Sequence, residues 1–460
     1  MPAFDRYFDP NRAQKTCAME LYAQVEKLPI VSPHGHVDPS LFSDPNRRFG
    51  NPVELLIQPD HYVLRMLYSQ GISYDPILFG ENPRQVWQIF ADHFYLFAGT
   101  PSGAWLRHEM AAVFGVDEKL TSESAPRIYD QIQTALLSAE YTPRALFKKL
   151  NIEVLATTDS ATDTLAHHKL IKESGWDARI IPTFRPDAVI NMQTPQWIEN
   201  INILSEVSGI AIHNYTSFIT AMEQRRSYFR SMGATATDMG PAVTACRPLS
   251  ATEAESIFQK ALQGSATQAE AELFLAHMLF EMARMSAEDG LLMQVHPGVY
   301  RNHNPLVFSK YGADRGFDIP TSAEFTHNLR PILQQFGNNP NFHILLFTLD
   351  ESTYARELAP LAGAYPAVKL GPPWWFHDSW NGMRRYFDQV METAGIYNTA
   401  GFNDDTRAFL SIPARHDVWR RAAANWLAGL FVRGMIDRQD AETLVVEMAV
   451  GLAKKAYKLD

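Results

Sequence analysis

A chain of 460 residues is too long for one small domain and fits either two or three modest domains or one barrel-sized unit with insertions. Its 46% hydrophobic, 12% aromatic and 20% charged residues exclude a disordered or collagen-like chain. With 41 Lys and Arg against 51 Asp and Glu, the net charge is −10, and no long basic run offers a surface for nucleic acid.

Only two cysteines occur, Cys17 and Cys246, too few for a disulfide framework or a Cys-only zinc cluster, so a reducing cytoplasm is the expected compartment. Residues 1 to 25 carry charged and polar residues throughout and lack the apolar segment of a signal peptide. Apolar stretches are strand-sized and fall short of the roughly 20 uncharged residues of a membrane span. A soluble protein with no membrane partner is expected.

In chain order, the first β-rich run is 29 to 32. Residues 53 to 150 then read as helical, with ENPRQVWQIFADHFYLF and APRIYDQIQTALLSA at helical period and few strand signals. Further β-rich runs lie at 152 to 157, 178 to 184, 234 to 238, 291 to 296, 343 to 348, 366 to 370 and 398 to 402, about eight in all. Helical segments intervene, including AEAELFLAHMLFEMARMSAEDG and SAEFTHNLRPILQQFG, the latter stopping at Gly337. The tail from 415 to 457 is helical with a break at Gly434. Strand followed by helix, repeated, implies parallel βαβ units, and continuously apolar runs imply strands buried on both faces. A closed or doubly wound α/β sheet follows. No repeat or flexible linker divides it, so a single domain over 1 to 460 is expected, with 53 to 150 a helical insertion after the first strand that walls the active site.

His34 and His36 end the first run. On extended backbone, residues two apart face the same way, so both imidazoles can reach one metal ion; alternatively they are two polar loop histidines. The last run is followed by Asn403-Asp404-Asp405-Thr406-Arg407, which offers an anionic ligand and an arginine, while an Asx turn accounts for Asp404 alone. His296 ends the run 291 to 296 as a further metal or substrate contact, or as a structural histidine. Asp60-His61-Tyr62 with Arg65, then Arg185-Pro186-Asp187 and Arg301, supply polar groups; converging arginines suit an anionic substrate, although each could be a surface ion pair. Trp374 and Trp375 could pack on a sugar ring or simply fill a barrel mouth. Dinucleotide, phosphate-loop, serine-hydrolase and His-Glu-x-x-His signatures are absent.

The series SPHGHVD, DHYVLRML, FAGTPSGAWLRHEM, LATTDSATDTLAHH, IPTFRPDAVIN, MQVHPGVYRNHN, PPWWFHDSWNGM and NDDTRAFLSIPARHDVWRR resembles the uronate (glucuronate) isomerase family of the amidohydrolase superfamily, over about residues 30 to 421. The resemblance implies a distorted (β/α)8 TIM barrel, one divalent metal, most simply Zn2+ with Mn2+ or Fe2+ as alternatives, and a hexuronate as small-molecule partner. It also implies interconversion of D-glucuronate with D-fructuronate and of D-galacturonate with D-tagaturonate. The family's metal pair falls on His34 and His36, and its last-strand aspartate and arginine on Asp405 and Arg407, the spacing to Arg407 selecting Asp405 over Asp404. Its insertion pair falls on His61 and Tyr62, its arginine after the third strand on Arg185, and its tryptophans on Trp374 and Trp375. Asp405, Arg407, His61 and Tyr62 are then the expected catalytic residues, with His34, His36 and Asp405 on the metal. Arg185, His296, Arg301, Trp374 and Trp375 would bind substrate. A homo-oligomer is expected. The competing readings are a metal-dependent hydrolase, for which the run ATATDMG lacks a bridging lysine, and a non-catalytic sugar-acid binder.

Overall fold

The structure, a computed structural model, describes residues 4–459. Seven parallel strands organise it: β1 (Ile30–Ser32), β2 (Ile152–Ala156), β3 (Arg179–Ile181), β4 (Ala236–Met239), β5 (Leu292–Val295), β6 (Ile344–Leu346) and β7 (Val368–Leu370). β1 pairs with β2 and β2 with β3. Beyond β2 and β3, the short segments Asp159–Ser160 and Phe184–Arg185 pair with each other, and Phe184 pairs with Thr237 of β4. β4 to β7 then follow as sequential parallel neighbours. Every residue of β1, β4, β5 and β6 is buried, as strands covered on both faces must be.

The run at 398 to 402 forms no strand of its own among the described residues. Thr399 makes a single parallel bridge to Leu370, and Ala400 N–H donates to the Leu370 carbonyl at 2.9 Å. The reason is local: Gly401 stands at φ +70°, outside strand geometry, where a Cβ would come within 2.9 Å of the Ala453 nitrogen. Past this point, His36 N–H donates to the Thr406 carbonyl at 3.0 Å, tying the segment after 402 to the end of β1.

The helix expected from 322 to 337 is shorter, Arg330–Phe336, with Pro331 in its first turn. Residues before it are diverted by Glu357, whose Oε2 accepts from the Phe325 and Thr326 amides at 2.7 and 2.9 Å and from the Thr326 hydroxyl at 3.0 Å. Buried acceptors of that kind outcompete helix bonds at a proline-bearing start. The segment between β1 and β2 is helical, including Pro83–Asp92, Pro101–Phe114 and Ala125–Leu136. Its apolar faces (Trp87, Phe90, Ile128, Ile132) join one hydrophobic cluster with Ile152 and Ile180 of β2 and β3. A smaller cluster lies inside the strands: Val31, Val154, Ile181, Ala236, Leu292, Leu345 and Ala400 meet Ala453, Tyr457 and Leu459 from the last helical stretch. Among the described residues, no helix is long and apolar enough to cross a membrane.

Candidate active site

The C-terminal ends of the parallel strands open into a cavity of about 590 Å³ lined by His34, His36, His61, Arg185, Asp238, His296, Arg301, Trp374, Trp375, Asp405 and Arg407, with Asp314 among the rest. A second space of about 560 Å³ adjoins it and shares His36, His61, Asp314 and Arg407. Ten of the eleven residues singled out from sequence therefore meet at one place. Tyr62 is the exception: it does not line the cavity, its hydroxyl is buried without a hydrogen-bond partner, and its ring packs under His61 and against Trp105 and Phe376.

At the centre, Asp405 Oδ1 lies 3.1 Å from His36 Nε2 and 3.4 Å from His34 Nε2. Potential ligand atoms of His34, His296 and Asp405 fall within 4.8 Å of one another. His296 Nδ1 is bonded to Asp238 Oδ1 at 2.7 Å, which fixes its proton there and leaves a lone pair on Nε2; that nitrogen is buried and has no partner. The ring of His296 is wedged on Phe347 at 3.8 Å and on His34 at 4.8 Å between centroids. Two orphaned buried acceptors, Asp405 Oδ1 and His296 Nε2, lie with His34 in a cluster whose donor atoms could hold a metal ion.

Backbone bonds hold this centre: the Asp405 amide donates to the His34 carbonyl at 3.4 Å, and Thr158 Oγ1 donates to the Gly35 carbonyl at 2.9 Å. Four non-glycine residues that line the cavity, Asn302, Asp314, Trp375 and Asp405, have positive φ, the kind of strain that functional sites retain. Asp404 does not cap a helix. It is fully buried, its Oδ2 lies 3.2 Å from His416 Nε2, and its carbonyl accepts from Arg415.

Around the centre sit the charges. Burial opposes ionisation of Asp238, but Arg185 and His296 hold its carboxyl well below the usual range. Burial likewise opposes the charge on Arg185, yet Asp238 and Asp187, 3.6 and 3.8 Å from its Nε, keep its pKa raised. Its guanidinium donates no hydrogen bond to another described residue, so its terminal nitrogens remain available to a ligand. Arg301 is paired with Asp318 at 2.8 Å and lies over the Trp375 ring, and Arg407 is paired with Asp314 at 3.1 Å. The pKa of His61 is pushed down to about 3 by burial, with Arg407 and Arg415 adding. Its Nε2 accepts from the Trp375 indole N–H at 2.8 Å, so the neutral ring carries its proton on Nδ1.

Asp238, Asp314 and Phe347 are among the cavity or wedge residues not singled out from sequence. Asp238 sits at the end of a β-rich run, the same positional signal that marks His34 and His296. Asp314 and Phe347 carry no comparable signal.

Comparison with known proteins identifies the family. The sequence model of the glucuronate isomerase family matches residues 9–456. A uronate isomerase of Nostoc punctiforme is 54% identical over 99% of this chain and 98% of its own, and one of Rhizorhabdus wittichii is 50% identical over the same shares. The crystal structure of glucuronate isomerase from Caulobacter crescentus superposes with a TM-score of 0.98 at 49% identity, covering 100% of this chain and 97% of that one. With strand-end histidines, a facing carboxylate and full-length matches all in agreement, the chain belongs to the glucuronate isomerase family.

Proposed function

We infer that this chain is an aldose-ketose isomerase of hexuronates, interconverting D-glucuronate with D-fructuronate and D-galacturonate with D-tagaturonate. The observation that carries the reading is that one cavity is lined by His34, His36, His296 and Asp405 together with Arg185, Arg301 and Arg407. Isomerisation moves a proton from C2 to C1 and another between the two oxygens, and needs stabilisation of the enediolate between. Asp405 moves the carbon-bound proton, with Arg407 beside it. Arg185, whose guanidinium donates no hydrogen bond to another described residue, takes the substrate carboxylate through its fork of donors. His61, neutral with its proton on Nδ1, serves an oxygen of the sugar. Tyr62 supports His61 from beneath, and Trp374 and Trp375 wall the sugar.

Residues His34, His36, His296 and Asp405 would hold a divalent cation; nitrogen with one carboxylate suits Zn2+ first, then Mn2+ or Fe2+. A bound divalent cation supplies Lewis acidity toward the C1 and C2 oxygens.

We also read the parallel strands as a distorted (β/α)8 TIM barrel, supported by neighbours in sequence order and the His36–Thr406 bond across the remaining gap, with 53–150 as a helical insertion in a single domain. Placement in the cytoplasm accords with free thiols at Cys17 and Cys246. Assembly as a homo-oligomer is to be tested by light scattering. A metal-dependent hydrolase is not favoured, because the family model and the full-length relatives at about 50% identity are uronate isomerases and β4 offers Asp238 but no lysine. Incubation with D-glucuronate and with D-galacturonate, scored for 2-keto sugar, tests the reading; no ketose from either would sink it.

A further inference from the structure

The helix Leu452–Tyr457 packs against the strand ends opposite the cavity. Lys454 pairs with Glu153 at the start of β2 at 2.6 Å, the Leu459 carbonyl accepts from Arg179 at the start of β3 at 2.6 Å, and Lys458 Nζ donates to the Gly290 carbonyl just before β5 at 2.6 Å. From there Tyr457, only 1% exposed, reaches into the interior and donates its hydroxyl to Gln294 Oε1 at 2.7 Å. Gln294 is fully buried in β5, and its amide nitrogen lies 3.3 Å from the Thr237 carbonyl and 3.5 Å from His34 Nδ1. A phenol from one end of the sheet is thus linked through one carboxamide to an imidazole at the other.

We propose that Tyr457 is a positioning residue for His34, acting through Gln294; this rests on the reading that His34 holds a divalent cation. As arranged, the amide nitrogen donates to Nδ1, leaving the ring proton on Nε2 beside Asp405. A ring that gives its Nε2 lone pair to a cation carries its proton on Nδ1 and needs an acceptor there, which the carboxamide provides by turning over. The Tyr457 hydroxyl accepts as readily as it donates, so it bonds the carboxamide in either orientation, which offsets the bond to the Thr237 carbonyl that turning over gives up. In an interior where an unpaired amide is costly, that keeps Gln294, and with it the His34 ring, in place.

The full chain, stripped with a chelator and titrated with Zn2+ against a chromophoric competitor, reads the affinity directly. Tyr457→Phe is expected to weaken Zn2+ binding about 10-fold and Gln294→Met up to about 100-fold, the range for residues that orient metal ligands. The double variant should be no weaker than Gln294→Met alone, because the phenol acts only through the carboxamide. A purely structural role would instead lower the thermal midpoint of the stripped protein without moving Zn2+ affinity. Wild-type affinity in Tyr457→Phe, or additive losses in the double variant, overturns the proposal. His34→Ala separates the two levels. If it keeps wild-type affinity, the metal reading falls and the proposal with it; if it loses the ion while Tyr457→Phe keeps it, the metal site stands and the proposal falls.

Discussion

Asp405 holds its carboxylate on backbone at φ +43°, a conformation that aspartate and asparagine tolerate better than other side chains with a Cβ. Asp405→Asn therefore preserves the turn while removing charge and basicity. We expect kcat to fall by about two to four orders of magnitude, the range for a lost general base. Parallel assays of kcat, metal content and deuterium incorporation at C2 check it, and near-wild-type kcat would move the proton transfer elsewhere. Arg185→Met is expected to raise KM for uronates by roughly 10- to 100-fold through loss of charge-assisted bonds of about 1.5–3 kcal/mol, with a neutral aldose no worse than before. Unchanged KM would pass the anchoring role to Arg301 or Arg407. Glu109, away from the cavity, gives a pH test. Burial, with the Asp60 charge adding, pushes its pKa up to about 8 from an ordinary 4.5. Between those values the folded chain binds a proton that the unfolded chain has released, so stability falls as pH rises from about 4.5 to 8. Glu109→Gln removes that slope: denaturant melts should coincide with wild type near pH 5 and favour the variant by a few kcal/mol at pH 8.

The seven strands are legible in sequence because strands buried on both faces need largely apolar runs: β6 is unbroken, while Gln294 alone interrupts β5 and Lys369 alone interrupts β7. The run at 398 to 402, NTAGF, is less apolar, and it contains Gly401, whose positive φ answers to the helix packed on it rather than to its own neighbours. That contact lies some fifty residues away and leaves no local trace. Glu357 likewise shortens the helix before Phe336 from outside the segment. In the site, strand-end position makes His34, His36 and His296 legible, whereas Asp314 enters the cavity from a loop with φ +61° that has no periodicity to read. The same reasoning makes Gly401→Ala a sharp probe: a Cβ would strain the backbone and press on Ala453, and we expect a loss of about 1–3 kcal/mol in denaturant melts. A variant as stable as wild type would mean that the last helical stretch is not tightly seated.

For the molecule as a whole, the cation site couples ligand to fold. We expect one divalent ion per chain by elemental analysis and a lower melting temperature after chelation, since an ion at 100 times its Kd adds about 2.7 kcal/mol. Two ions per chain, or a melting temperature indifferent to chelation, would contradict this.

The bond from His36 to Thr406 spans roughly 370 residues of chain. Ribosomes add about 5–20 residues per second, so on the order of 20–70 s separate the synthesis of these two segments. Once β2 has been made, β1 has it on one side and nothing from the 399–406 segment on the other, an open sheet edge of the kind that invites pairing with another chain. The histidines at its tip wait equally long for Asp405. During synthesis, protection of that edge falls to the helices encoded between β1 and β2, which emerge early and cover the strands they follow.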